Sequence, residues 1–193
     1  LLVMSGAAGV RLRGVITGGE QSAGILMSGR LRDISADFLK KLWPPVIGPK
    51  SRAWVSENVA GGRISEGSFQ INIPPNGLAV ARTNKVLPNE AIDFRFSLQD
   101  VTSRYFKNLP LLTNASGQAR LQGNVFDLTI DSGTVTVSNG GKVRVSDTTF
   151  KAENLLADPA DGTIVINVNA GVPELLALAW EPDLNLYKTA SGF

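Results

Sequence analysis

Asp127 with Asp131, four residues apart, and Asp158 with Asp161, three apart, are the carboxylate pairs that could divide general acid and base work. Both have a plainer reading, since Asp127 and Asp131 lie in an alternating stretch where acids face solvent and DPADG is a turn former. That loop has two oxygen-bearing side chains and no further spaced acids, too few for a calcium site. Zero cysteine and zero histidine in 193 residues remove thiol chemistry, disulfides, the commonest general base and the commonest transition-metal ligand. No nucleophile elbow or phosphate loop is present. The sequence therefore predicts no enzyme, no cofactor and no metal. Asn114-Ala115-Ser116 fits a glycosylation triplet, a pattern frequent by chance.

Cationic and aromatic side chains offer other chemistry. Arg11, Arg13, Arg30 and Arg32 would form a basic strip if their two strands pair in register, and such a strip attracts phosphate head groups; the plainer reading is a solvated face. Nineteen basic residues against seventeen acidic ones leave a net charge of +2, scattered along the chain, so no nucleic-acid partner is expected. Trp43, Trp54 and Trp180 could be membrane-interface anchors, but a Trp on a short helix more often packs that helix onto a sheet. On that packing view, truncating Trp43 or Trp54 to Ala costs about 3 to 5 kcal/mol.

The elements that position these groups are mostly strands. Apolar residues are 43% and charged residues 19%, which suits a folded chain, and no apolar run approaches the roughly 18 residues of a spanning helix. The opening LLVMSGAAG, without Met, basic region or cleavage signature, reads as a piece of a longer chain whose anchor or signal lies elsewhere. Period-two alternation marks strands over Ala91 to Gln99, with Ile92, Phe94, Phe96 and Leu98 on one face, and around Phe69, Ile71 and Ile73, around Phe126, Leu128 and Ile130, and around Ile164, Ile166 and Val168. Val10, Leu12 and Ile16 with Ile25, Met27 and Leu31 suggest an N-terminal hairpin. Thr134 to Val137 and Lys142 to Val145 flank SNGG, where Asn139-Gly140 supplies the positive φ angles of a tight hairpin turn.

Three helices are predicted. Ser35 caps ADFLKKLW, which Pro44-Pro45 stops. Pro49 opens KSRAWVSEN, which Gly61-Gly62 ends. VPELLALAW is apolar nearly all round and is expected to be buried. FLKKLWPPVI and LLALAWEPDL echo one another, as do GRISEGSFQINI and GQARLQGNVFDLTI, whose interior glycines suggest bulges. These echoes give weak units of about 1–60 and 61–193 without a firm boundary.

Residues Leu42 to Ile73, through Trp43-Pro44, Arg52, Trp54, Asn58 and Gly61-Gly62 ahead of a strand, resemble the AsmA-like superfamily, in particular its YhdP-type periplasmic region. LPLLTNASGQARLQGNVFDLTIDSG and VPELLALAW are similar to that family's recurring strand segment and closing helix, more weakly. The resemblance implies a mainly β fold with a few short helices, a curved and twisted antiparallel sheet forming an open groove. It further implies a segment of a Gram-negative envelope protein, related to TamB and the bridge-like lipid transporters, that lies in the periplasm and is held to the inner membrane by an anchor outside this stretch. Its partners would be phospholipid acyl chains, moved between the inner and outer membranes, and neighbouring segments of the full chain. No catalytic residues carry over.

The groove-facing residues are then Phe69, Ile71, Ile73, Ile92, Phe94, Phe96, Leu98, Phe126, Leu128, Ile130, Ile164 and Ile166. The alternative is a β-sandwich binding carbohydrate or protein, in which a second layer covers these residues. A sugar-binding face would want exposed aromatics, yet only Tyr105 and Tyr187 occur as tyrosines and most Phe residues fall in the inward register.

Overall fold

Alternating side chains separated by Gly, Asn and Asp turns fold into consecutive antiparallel strands, because each strand has one apolar face to cover and a short connection to its neighbour. The computed structural model describes residues 2–5, 8–43, 49–84, 88, 90–105, 109–155 and 161–181. Nine strands form one sheet in chain order, an uninterrupted meander that does not close: β1 (Leu2–Ser5), β2 (Ala8–Thr17), β3 (Gly24–Ser35), β4 (Val59–Ile73), β5 (Ile92–Ser103), β6 (Leu112–Gln122), β7 (Val125–Thr136), β8 (Lys142–Ala152) and β9 (Gly162–Asn169). Every pairing is antiparallel. The expected architecture is observed, a curved open sheet with short helices, and no second sheet faces it among the described residues.

A seam of bulges bends the sheet. Asp33, Asp100, Asn114 and Asp147, in β3, β5, β6 and β8, have φ between 44° and 54°, and Gly62 in β4 has φ 107°. Register slips accompany them between Leu98 and Val101, Thr113 and Ser116, and Ser146 and Thr149. Asp and Asn tolerate this left-handed backbone better than other side chains, and each bulge bends its strand and adds twist. Arg63 spans the seam, 3.7 Å from Asp33 and 3.8 Å from Asp100, with two hydrogen bonds to Gln99.

The helices occupy the ends and rims. α1 (Ala36–Leu42) begins where Ser35 Oγ accepts the Phe38 amide at 3.2 Å, as expected, and places Phe38 and Leu39 over Val10, Ile34 and Ile64. α2 (Pro49–Asn58) starts at the expected proline but ends three residues before Gly61-Gly62, which instead belong to β4. Gly62 is a bulge rather than a helix stop. The Pro44-Pro45 stop lies outside the described residues. α3 (Gly77–Asn84) was not expected; Asn76 stands at its start, but its side-chain oxygen accepts the Gln21 and Ser22 amides rather than an amide of the helix.

α4 (Val172–Ala179) corrects a prediction, since none of its residues is buried and Val172 and Trp180 are 69% and 63% exposed. Only Ala177 and Leu178 reach the cluster of Ala115, Ile130, Val135, Val137, Val143 and Val145. A helix resting on a single sheet has one surface to bury against, whatever its composition. Two further corrections concern turns. At SNGG only Gly140 takes positive φ, with its amide on the Val137 carbonyl at 2.8 Å. GQARLQGNVFDLTI is two strands, with Gln122 paired to Val125 and Gly123-Asn124 as the turn, rather than one bulged strand.

Candidate functional site

Directly opposed residues in an antiparallel ladder share a face, so the register alone assembles the site. One row runs Gly29, Phe69, Phe94, Leu121, Phe126, Ala152, Gly162 from β3 to β9. The next runs Leu31, Gly67, Phe96, Ala119, Leu128, Phe150, Ile164. Ile71 opposes Ile92 and Met27, and Ile130 opposes Gly117 and Thr148. Every predicted groove residue therefore lies on the same face, Ile166 by its alternation with Ile164 and Val168.

Aromatic rings pave the centre of that face. Phe69 and Phe94 stack with centroids 5.7 Å apart, Phe94 and Phe96 stack at 6.1 Å, and Phe126 and Phe150 meet tilted at 6.2 Å. Sequence alternation did not single out Phe150, because its neighbours Thr148 and Ala152 are not large apolar residues. The rings lie over strand glycines: a β-carbon on Gly29 would sit 2.5 Å from the Phe69 ring, and one on Gly162 would sit 2.7 Å from Phe150. Replacing either glycine would lift a ring off the floor.

Coverage is uneven. Ile73 and Ile130 are buried at 8% and 7% exposure, Ile164 and Ile166 are about half exposed at 52% and 49%, and the other predicted residues are half-buried. The helices pack chiefly on β3, β4 and β8, which closes the face near the seam and leaves the region of Phe69, Phe94 and Phe126 without a covering layer among the described residues. Phe96 lies at its margin, where it also packs against the Val10, Ile34 and Ile64 cluster. Two depressions of about 620 and 610 Å³ flank the seam, the first between Phe38, Lys41, Arg63 and Asp100, the second between Asn114, Thr134, Arg144 and Asn169.

The opposite face is polar and ordered by charge. Arg11 opposes Arg30, so the N-terminal arginines do pair in register, while Arg13 opposes Ser28 and Arg32 opposes Gly9. Arg95 opposes Arg120, and Asp93 bridges them at 2.9 and 3.0 Å. Hydrogen bonds from Arg120 and then Arg95 hold the Asp93 carboxyl down at about 2. Asp127 opposes Arg120 and Lys151, whereas Asp131 lies where the register slips, so these two acids do not converge. Asp158 lies outside the described residues, and among those described no His, Cys, Asp and Glu grouping could hold a metal.

The Trp-bearing corner is a structural tie. Arg52 Nε donates to the Trp43 carbonyl at 3.0 Å, Asn58 Nδ2 to the Trp54 carbonyl at 2.9 Å, and Lys40 Nζ to the Val59 carbonyl. Trp54 is 47% exposed, which gives it less cover than expected of a side chain that packs its helix onto the sheet. Its helix contributes backbone and polar ties instead. No protein-family model, curated protein or solved structure matches the chain.

Proposed function

We propose that this chain is a lipid-holding module whose apolar sheet face contacts phospholipid acyl chains. The observation that carries the reading is the Phe69, Phe94, Phe96 and Phe126 floor on one face of an open sheet with no second layer over it among the described residues. Acyl chains suit such a surface, because each buried methylene contributes about 0.8 kcal/mol without directional partners, and a contiguous apolar patch of this kind marks a binding site or interface. The resemblance of Leu42 to Ile73 to the YhdP-type AsmA-like region extends the reading to a periplasmic segment of an inner-membrane-anchored Gram-negative envelope protein that conducts phospholipid between the two membranes. The carbohydrate- or protein-binding sandwich has less support, since the described residues form one sheet with no second layer over it.

The test is lipid analysis of the purified chain with a photo-crosslinking residue at Phe96. Phospholipid should co-purify and be captured there. A chain free of lipid with no adduct at Phe96 would reject the reading.

A further inference from the structure

The end of the β2–β3 hairpin exposes apolar side chains on both faces. Val15 is 61% exposed, Ile16 69% and Leu26 60%. Val15 opposes Leu26 on the polar face of the sheet, while Ile16 opposes Ile25 on the apolar face. Behind Val15 on the polar face come exposed Arg13 and then Arg11 opposite Arg30, in steps of about 7 Å along the strand. Apolar residues at a tip with cations one and two steps behind them form the pattern of a segment lying in a membrane interface.

The charge arrangement carries the argument further. Like charges placed directly opposite destabilise a sheet. The opposed pair Arg95 and Arg120 has Asp93 between its guanidinium groups. Among the described residues neither Arg11 nor Arg30 has an ion-pair partner. Glu20, in the connecting loop, is the only acid between Ala8 and Arg32. The tip is also held in place: Asn76 Oδ1 accepts the Gln21 and Ser22 amides at 2.8 and 3.2 Å, the Asn76 amide returns to the Ser22 carbonyl at 2.9 Å, and Ser22 Oγ accepts the Ala79 amide. That tie brings α3, with Val80 55% exposed, to the same end. A preformed tip loses little conformational entropy on docking.

We propose that the β2–β3 hairpin tip docks this chain on a membrane surface rich in anionic phospholipid, Val15, Ile16 and Leu26 entering the acyl boundary while Arg11, Arg13 and Arg30 meet lipid phosphates. The proposal stands on the hairpin and not on the lipid reading of the Phe-lined floor. An anionic polymer would engage the arginines and leave the apolar tip in water. A second copy of the chain docked through this tip would bring two sets of arginines without ion-pair partners together, which disfavours it.

The test is flotation with phosphatidylcholine vesicles and with phosphatidylcholine–phosphatidylglycerol vesicles. The chain should float with the anionic vesicles, less so as salt rises, and not with the neutral ones. Arg11→Gln, Arg13→Gln and Arg30→Gln should each weaken binding about fivefold, and the combined Val15→Ser, Ile16→Ser, Leu26→Ser variant should abolish it. Because the chain has no cysteine, Leu26→Cys carries a single environment-sensitive dye, whose emission should shift to the blue only with anionic vesicles. Absence of flotation, flotation indifferent to both sets of substitutions, loss through the arginines alone, or a dimer abolished by the serine variant without vesicle binding would each overturn the proposal. Crosslinking at Phe96 should be unaffected in these variants, so the docking and floor readings fail separately.

Discussion

Asp93 shows how a single residue settles a local conflict. Two arginines face each other across β5 and β6, and the carboxylate between them takes a hydrogen bond from each on both oxygens. A folded value near 2 against an ordinary 3.8 means the carboxylate stabilises the fold fully above about pH 4, and that contribution is lost as pH falls toward 2. Solvent screening limits it to about 1 kcal/mol. Denaturant titrations from pH 5 to pH 2 should show this loss in the parent and a flatter profile in Asp93→Asn, which should already be weaker at pH 7. Trp54 makes the opposite case. With its ring half exposed, Trp54→Ala should cost under about 1.5 kcal/mol in a thermal melt, well below the figure for a buried ring. The sequence identified the Trp but not its exposure, because a short helix with few apolar residues does not reveal how much sheet lies beneath it.

At the scale of elements, strand identity was legible because alternation survives wherever one face is apolar. Ile92 to Leu98 and Phe126 to Ile130 kept their predicted faces for that reason. The seam was not legible, since Asp33, Asp100 and Asp147 look like ordinary solvent-facing strand residues and only a positive φ sets them apart. Asp147 offers a clean test: Asp147→Gly should be nearly neutral, whereas Asp147→Val, β-branched at φ 44°, should cost about 1 to 3 kcal/mol in chemical denaturation. α3 and the exposure of α4 escaped for a related reason. Short helices owe their existence to packing rather than propensity, and the sequence did not show what they would pack against. The cap of α1 was legible, and Ser35→Ala should lower stability by about 1 kcal/mol.

The whole molecule divides its apolar face into a covered part and an open part. Ile34 and Val143, at 1% and 0% exposure, lie in the two clusters that α1 and α4 help to cover, and Ile34→Ala should cost about 2 to 5 kcal/mol. Phe94 lies on the open part, half-buried by its ring neighbours. If that face holds acyl chains, a photo-crosslinking residue at Phe94 should capture phospholipid, while the same residue at neighbouring Arg95, on the polar face, should not. Phospholipid identified by mass spectrometry at position 94 and absent at 95 is the predicted result; equal capture at both positions, or none at 94 together with unfolding by Phe94→Asp, would contradict the account.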